Sequence, residues 1–336
     1  MSSEINIKSA VLHILDNNVT MPVLSDKEME LDNDTLSFLE NIINKAFNDD
    51  NLKNAKFSYE SAIEELFLQL TKKDLTFIDF TKKIAGDLFS LMLSNPGISG
   101  ADLICSDFKF NDNNYIGIFK LNYKNNYIHF VKYEDDTNIN VLVKQKTVLP
   151  NENQKVEECI LINTNNLAIQ LIEKEYEIDG EKIPYLSQVF LKCEDELSTA
   201  QKVKIIGKTA QKLSKKYYDK EFDNIARLNQ AIAENIEEIN AIDIEEIARE
   251  TFADNRQIQA EYLNEIQNAG IKEKEIHLPE KIAERKFKTH KIKTDTGIEI
   301  NFPSIFYNKK DKIEFLNNPD GSISIIIRNV NKITNK

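Results

Sequence analysis

The chain has 336 residues with 55 acidic and 43 basic side chains, which gives a formal net charge of −12. A chain of this length can form roughly two or three compact units. Its 41% hydrophobic and 29% charged residues are typical of a globular protein and exclude a disordered chain. No apolar run approaches the ~20 residues that span a bilayer, and the opening region contains an acid and no small-residue cleavage pattern. We therefore expect a cytoplasmic protein without a membrane segment.

Cysteine and histidine usage gives no sign of a disulfide framework or a metal site. Cys105, Cys159 and Cys193 are odd in number and far apart, which favours reduced thiols. The four histidines show neither HxxxH nor HExxH spacing. We therefore predict no metal and no cofactor, and expect chelation by EDTA to leave the thermal stability unchanged.

The sequence also lacks recognisable catalytic motifs. It contains no serine nucleophile elbow and no GxGxxG. Glu284-Arg285-Lys286 has the residue types of a Mg²⁺-dependent nuclease, but such tripeptides arise by chance in a chain rich in Glu and Lys. We therefore name no catalytic residue and predict that the protein is not an enzyme, with a metal-dependent nuclease as a remote alternative.

The first stretch, residues 1–96, has helical periodicity from Ile5 to Ser94. The clearest repeats are Leu36, Leu39, Ile43 and Phe47, followed by Ile84, Leu88, Leu91 and Met92. Asn95-Pro96-Gly97 then ends the helical region, because a residue before proline avoids the helical conformation.

The second stretch, residues 97–183, has the pattern of an antiparallel β meander. Runs that begin near Leu103, Tyr115, Tyr127 and Ile139 are 12 residues apart. Asn- and Asp-rich segments around 111–114, 124–126 and 135–138 separate these runs and predict hairpin turns. We expect the odd-numbered aromatic residues of 115–133 to form one buried face, with Lys120 and Lys132 on the opposite face. The strands around 163–166 continue the meander.

The third stretch, residues 184–270, returns to helices. It contains KVKIIGKTAQKLSKKYYDK, residues 202–220, with seven lysines and one acid. Gly207-Lys208-Thr209 looks like the end of a phosphate loop, but Lys202 stands where such a loop needs a glycine. An apolar repeat instead predicts an amphipathic helix: Val203, Ile206, Ala210, Leu213 and Tyr217. The following segment, 219–265, holds 13 acids against four cations, so charge is segregated along the chain.

The fourth stretch, residues 271–336, is basic and has a strand pattern. Asp295-Thr296-Gly297 and Asn318-Pro319-Asp320-Gly321 are turn signals between strands. Residues 281–293 carry six cations and one acid. The chain has five arginines among its 43 cationic residues, which argues against a reader of specific DNA sequences, because guanine recognition favours arginine.

These patterns predict an α+β fold: an N-terminal helical part at 1–96, a central antiparallel sheet at 97–183, a helical segment at 184–270 with a cationic helix before acidic ones, and a basic β-rich C-terminal part at 271–336.

The order of several segments resembles the bacterial nucleoid-associated protein NdpA family. The resemblance covers nearly the whole chain and rests on INIKSAVLHILD, YIGIFKLNY, the helical PYLSQVFLKCEDELSTAQKVKIIGKTAQKLSKKYYDK and the closing KTDTGIEINFPSIFYNKKDKIEFLNNPDGSISIIIRNV. It implies a cytoplasmic protein of the nucleoid that associates with DNA and has no known catalytic activity. It provides no active site to carry over.

Two functional hypotheses follow from the charge pattern and the resemblance. In the first, lysine-rich surfaces contact DNA phosphates without reading the sequence. The candidate contact residues are Lys202, Lys208, Lys212, Lys215, Lys216, Arg285, Lys286, Lys288, Lys291 and Lys293. In the second, the protein is an interaction module recruited to chromosome-bound machinery, and its acidic helices meet a basic protein partner. The lysines of 202–220 could also neutralise these acidic helices within the same molecule. The sequence leaves open whether the protein forms a homo-oligomer.

Overall fold

The structure, a computed structural model, describes residues 4–134, 136–151, 154–218, 221–253, 255–278, 289–303, 306 and 309–332. The chain forms two compact units, Met1–Glu196 and Leu197–Lys336. Helices and antiparallel strands give the α+β fold that the sequence predicts. The finer division into four domains stays a prediction.

Unit 1 is built around an antiparallel sheet of seven strands. Its described strands are β1 (Ile5–Leu15), β2 (Lys53–Phe57), β3 (Ala101–Phe110), β4 (Asn113–Asn122), β5 (Lys124–Glu134), β6 (Thr137–Val148), β7 (Cys159–Asn163), β8 (Ile169–Ile172), β9 (Glu175–Ile178), β10 (Glu181–Pro184) and β11 (Cys193–Asp195). The large sheet has the order β1-β3-β4-β7-β8-β2-β11, whereas β5 with β6 and β9 with β10 form separate two-stranded sheets.

Helices cover both faces of the large sheet. They are α1 (Asn33–Phe47), α2 (Ala62–Thr71), α3 (Phe77–Ser94) and a short π-helix (Leu186–Leu191). One core cluster joins α1 to one face of the sheet, and a second joins α2, α3 and the π-helix to the other. The Asp32 carboxylate caps α1 by accepting a hydrogen bond from the Thr35 backbone N–H at 2.8 Å. The helices predicted around Leu39 and Leu88 are confirmed, as is the end of the helical stretch, because α3 ends at Ser94, directly before Asn95.

The first strand corrects the prediction that the helical stretch begins at Ile5. Residues Ile5–Leu15 form β1, which pairs with β3 through ten residue pairs. Within the same predicted helical part, Lys53–Phe57 is also a strand. Ile and Val favour strands, and pairing with a segment about a hundred residues away supplies the hydrogen bonds that local periodicity does not reveal.

The predicted meander is confirmed for β3 and β4 but wrong for the next connection. Asn111, at φ 51°, lies in the turn between β3 and β4, and β4 then pairs with β7. The segment 124–126, predicted as a turn, is the start of β5, which pairs only with β6 among the described strands. The odd-numbered residues Phe119 and Leu121 are buried on one face as predicted, whereas Tyr127 and Tyr133 are exposed.

Lys120 lies on the face opposite to Phe119 and Leu121, as predicted, but this face is buried as well. β4 lies inside the sheet and its second half is buried, so Lys120 is not open to solvent. The Lys120 Nζ atom donates to the Glu158 carboxylate at 3.0 Å, and Glu158 is fully buried. Burial lowers the pKa of Lys120, although the Glu158 carboxylate opposes this shift.

Unit 2 is helical at first and then strand-rich. Its described elements are α4 (Thr199–Tyr217), α5 (Glu221–Ile239), β12 (Ala241–Asp243), α6 (Ile244–Thr251), α7 (Arg256–Asn268), β13 (Glu275–His277), β14 (Thr289–Lys293), β15 (Glu299–Pro303), β16 (Ile313–Asn317) and β17 (Ile323–Ile327). The hairpins β14–β15 and β16–β17 turn at the two predicted positions, where Gly297 and Gly321 have φ of 89° and 85°.

Candidate nucleic-acid interface

Helix α4 is the amphipathic helix that the lysine-rich segment predicts. Ser198 begins it with a capping box, in which its hydroxyl accepts from the Gln201 backbone N–H at 3.2 Å and the Gln201 side chain accepts from the Ser198 N–H at 2.8 Å. Ile206, Ala210 and Leu213 lie in the core of unit 2 with residues of α5, α6 and α7. Gly207-Lys208-Thr209 lies within the helix and forms no phosphate loop.

The end of the apolar stripe differs from the prediction. Tyr217 is partly exposed, and its hydroxyl donates to the Glu261 carboxylate at 2.8 Å. The neighbouring Tyr218 instead packs toward the core and stacks against Phe252, with ring centroids 6.2 Å apart. α4 ends at Tyr217, so Tyr218 has left the helical register that the stripe assumed.

Three of the predicted phosphate-contacting lysines pair with acids of their own unit. Lys202 contacts Glu273 at 2.6 Å, Lys212 contacts Glu265 at 2.8 Å and Lys216 contacts Glu261 at 2.9 Å. The hydrogen bond to Glu261 raises the pKa of Lys216, and the same contact lowers the pKa of Glu261. This face of α4 therefore neutralises acids of α7 and of the segment after it.

The three pairs differ in how accessible they are. The Lys202 side chain is only 14% exposed, whereas those of Lys212 and Lys216 are 65% and 54% exposed. Exposed ion pairs contribute little to stability, because water and salt screen the attraction. Lys212 and Lys216 can therefore exchange a carboxylate for another anion at little cost, and Lys202 is held away from solvent.

A second group of lysines on α4 has no ion-pair partner among the described residues. Lys204, Lys208 and Lys215 are exposed, and their spacings of four and seven residues place them on one face of the helix. With a rise of 1.5 Å per residue, this lysine stripe extends over roughly 16 Å. Lys208 and Lys215 were among the sequence candidates, but Lys204 was not. The four-residue spacing from Lys208 is the signal that identifies it.

The C-terminal cationic candidates are only partly described. Lys291 lies exposed on β14 without an ion pair to any described residue. Lys293 pairs across the hairpin with Glu299 at 3.0 Å. The remaining candidates, Arg285, Lys286 and Lys288, lie outside the described residues, as does Glu284 of the nuclease tripeptide.

Within the described parts of the chain, no group of three or more His, Cys, Asp or Glu residues is placed to hold a metal ion. None of the helices in the described ranges has the length and apolar character needed to cross a membrane. Burial raises the pKa of the Cys105 and Cys159 thiols, the second to about 12, which disfavours the reactive thiolate.

Together, the architecture and the lysine stripe define an α+β protein with a cationic helical surface and no evident catalytic centre among its described residues. The family model described as "Nucleoid-associated protein YejK" matches residues 11–334. The chain belongs to this nucleoid-associated family, also called NdpA, which confirms the resemblance seen in the sequence. The family is described by its association with the nucleoid and not by an enzymatic activity. A comparison with individual curated proteins gives no match.

Proposed function

We propose that the protein acts at the bacterial nucleoid, in the cytoplasm, by binding DNA directly and without sequence specificity. The observation that supports this most is the lysine stripe of α4, Lys204, Lys208 and Lys215. These side chains are exposed and have no carboxylate partner among the described residues, although the chain as a whole is acidic. Lysine is a compact cation that suits phosphate contacts, which carry no information on base identity.

The distribution of charge makes this proposal compatible with the net charge of −12. Charges farther apart than the Debye length, about 8 Å at physiological ionic strength, are largely screened in solution. The charge of the local surface therefore matters more for DNA binding than the net charge of the whole chain. On α4, Lys212 and Lys216 neutralise Glu265 and Glu261, so these acids present less charge to an approaching phosphate.

The candidate residues divide by accessibility in this proposal. Lys204, Lys208 and Lys215 make the primary contacts, and Lys291 contributes from β14. Lys212 and Lys216 contribute by exchanging their carboxylate partners, whereas Lys202 supports the packing of α4. Lys293 contributes by exchanging its partner Glu299, and Arg285, Lys286 and Lys288, which lie outside the described residues, stay candidates from the sequence alone.

A test compares variants that change the same number of charges in different places. In the stripe variant, Lys204, Lys208 and Lys215 are replaced by Gln, which is also a good helix former. The matched control replaces three exposed lysines of unit 1, Lys27, Lys56 and Lys109, by Gln. Both variants change the formal net charge from −12 to −15, since each removes three positive charges.

Fluorescence anisotropy with two duplexes of unrelated sequence, measured over a range of salt concentrations, provides the readout. Each lost phosphate contact lowers the slope of log affinity against log salt by about 0.9, so the stripe variant should lose up to about 2.7 units of slope on both duplexes. The control should keep the wild-type slope. Equal losses in both variants would assign the effect to total charge, and no loss in the stripe variant would overturn the proposal.

Exposed acids on α5 favour a second candidate function, recruitment by a basic protein partner. Glu237 and Glu238 are exposed at the end of this helix and have no ion pair with a described residue. If this function is the correct one, the purified protein should show negligible affinity for DNA at moderate salt. Replacement of Glu237 and Glu238 by Gln should then reduce its recruitment to the nucleoid in cells.

A further inference from the structure

Part of the cationic surface of α4 is already occupied by acids of the same unit. One row of α4 consists of lysines spaced four residues apart: Lys204, Lys208, Lys212 and Lys216. Its first two lysines have no ion-pair partner among the described residues. Lys212 contacts Glu265 at 2.8 Å, and Lys216 contacts Glu261 at 2.9 Å. The row is continuous over roughly 18 Å, but only its first half is open to a phosphate without competition.

Helix α7 holds these two acids in register with the lysines. Glu261 and Glu265 are also four residues apart, so one face of α7 presents both carboxylates to α4. Tyr262, the residue after Glu261, is fully buried, and its hydroxyl donates to the Ile206 carbonyl of α4 at 3.2 Å. Because the two helices are packed together through this core, a carboxylate leaves its lysine by rotation of a side chain and not by movement of α7.

The two carboxylates differ in how firmly they are held. Glu261 accepts a second hydrogen bond, from the Tyr217 hydroxyl at 2.8 Å, and Lys216 Nζ lies 4.6 Å from the centroid of the Tyr217 ring. No comparable second contact to the Glu265 carboxylate is present among the described residues. Both acids are partly open to solvent, with side chains 29% and 27% exposed. A competing anion can therefore displace either of them, and Glu265 more easily.

Displacement of a carboxylate changes how a phosphate contact responds to salt. A phosphate that binds an unpaired lysine releases a condensed counterion from the DNA, and this release makes the affinity depend on salt. A phosphate that binds Lys212 or Lys216 also sets a carboxylate free, and the carboxylate attracts a cation from solution. Uptake of this cation offsets the release from the DNA, so the contact adds little affinity and little salt dependence.

We propose that Glu261 and Glu265 act as an internal competitor that withholds Lys212 and Lys216 from DNA. The inference rests on the proposed function, because it concerns the same cationic surface of α4. The two acids lower the affinity for DNA and also make it less sensitive to ionic strength. Their removal should release two further lysines, and the slope of log affinity against log salt should become steeper by up to about 1.8, at about 0.9 for each new phosphate contact.

The first experiment compares two variants that lose the same number of acids. The competitor variant is Glu261→Gln/Glu265→Gln, and the matched control is Glu40→Gln/Glu60→Gln, which changes two exposed acids of unit 1. Each removes two negative charges and changes the formal net charge from −12 to −10. In fluorescence anisotropy with a DNA duplex, the competitor variant should bind roughly tenfold more tightly than the wild type at about 100 mM salt, with the steeper slope. The control should keep the wild-type slope. Equal changes in both variants would assign the effect to net charge and overturn the proposal.

A second experiment separates competition for the lysines from simple repulsion of DNA by the acids. The same two acids are replaced by Gln in a Lys212→Gln/Lys216→Gln background, where no lysine is left to release. Competition predicts no steeper slope in this background. A gain as large as that seen with both lysines present would assign the effect to repulsion between carboxylates and phosphates and would overturn the proposal.

A single substitution keeps the test decisive if the double variant does not fold. Glu265→Gln leaves the contacts of Glu261 intact and frees Lys212 alone, so the slope should become steeper by up to about 0.9. Circular dichroism spectra and thermal melts like those of the wild type would show that a variant folds. Binding by the wild type without any gain in either acid variant would overturn this inference and leave the proposed function standing. Absence of DNA binding in the wild type and in every variant at about 50 mM salt would overturn both.

Discussion

The buried ion pair between Lys120 and Glu158 allows a sharp test of how unit 1 is stabilised. Glu158 Oε2 lies 3.0 Å from Lys120 Nζ and 3.4 Å from the Tyr176 hydroxyl, and it also accepts from the Asn122 amide. The side chains of both ion-pair partners are at most 2% exposed. Replacement of Lys120 by Met leaves the carboxylate without its counter-charge in a site that water does not reach. Removal of one partner from a buried pair costs about 3–5 kcal/mol, so we expect a loss of this size in the free energy of unfolding.

The two single variants should respond to pH in opposite directions. In Lys120→Met, the carboxylate at position 158 is buried without a counter-charge, and burial penalises its charged form, so stability is greatest at low pH and is lost as the pH rises. In Glu158→Gln, the folded-state pKa of Lys120 falls further below its unfolded value, so stability is lost as the pH falls. Each slope is limited to about 1.4 kcal/mol per pH unit. The double variant has no buried charge at either position and should recover most of the loss without a comparable slope.

Urea denaturation at pH 6, 7 and 8 measures these differences. The chain has no tryptophan, so far-UV circular dichroism is the suitable signal, and hydrogen exchange of β4 peptides reports on unit 1 specifically. The reasoning is refuted if Lys120→Met costs less than about 1 kcal/mol, or if the two single variants share the same sign of pH dependence.

Three further predictions concern other parts of the chain. Burial, assisted by Lys82, lowers the pKa of His13 to about 4, so the stability that neutral His13 contributes is lost as the pH falls from 6.5 towards 4. Wild type should therefore lose about 1 kcal/mol more than His13→Gln between pH 7.5 and 5.5 in urea denaturation, and equal losses would contradict this origin. Ser198→Ala removes the capping box of α4 and should lower the free energy of unfolding by about 1 kcal/mol, whereas Ser198→Asp should keep the cap. Equal stability of the two variants in urea denaturation would contradict the role of the cap. EDTA should leave the thermal melting temperature and DNA association unchanged, and a fall that zinc or magnesium reverses would contradict a metal-free protein.

The fold was predictable where the information was local. The periodicity around Leu39 and Leu88 identified α1 and α3, and the turn residues at 295–297 and 318–321 placed two hairpins. β1 was missed because its pairing partner, β3, begins at Ala101. An apolar segment of that length fits either a helix or a strand until its long-range partner is known.

The alternation of aromatic and polar residues in β5 correctly predicted a strand, but the prediction that its odd-numbered aromatic side chains are buried was wrong. Periodicity reports which side chains share a face, but it does not report what covers that face. Tyr127 and Tyr133 share a face in the structure, yet they are exposed because β5 leaves the large sheet. Lys120 shows the converse: alternation correctly placed it on the opposite face, but its burial depends on Glu158, which lies 38 residues later in the chain.

The candidate interface was located by sequence but not resolved into its two groups. Composition identified α4 as a cationic helix, and the apolar repeat oriented it. The separation of Lys212 and Lys216 from Lys208 and Lys215 depends on where Glu261 and Glu265 of α7 lie. These ion pairs join side chains of α4 and α7 that are more than forty residues apart in the sequence. The sequence alone therefore left neutralisation of the acids by the lysines as one hypothesis among others.

The most direct test of the proposed function is the salt dependence of DNA affinity for the purified wild-type protein. Fluorescence anisotropy with two unrelated duplexes of equal length, between 50 and 200 mM salt, gives the slope of log affinity against log salt. Direct phosphate contact by at least three lysines predicts the same slope on both duplexes, about −2.7 or steeper. No measurable affinity at 50 mM salt, or a slope near zero, would contradict direct binding and assign association with the nucleoid to a protein partner.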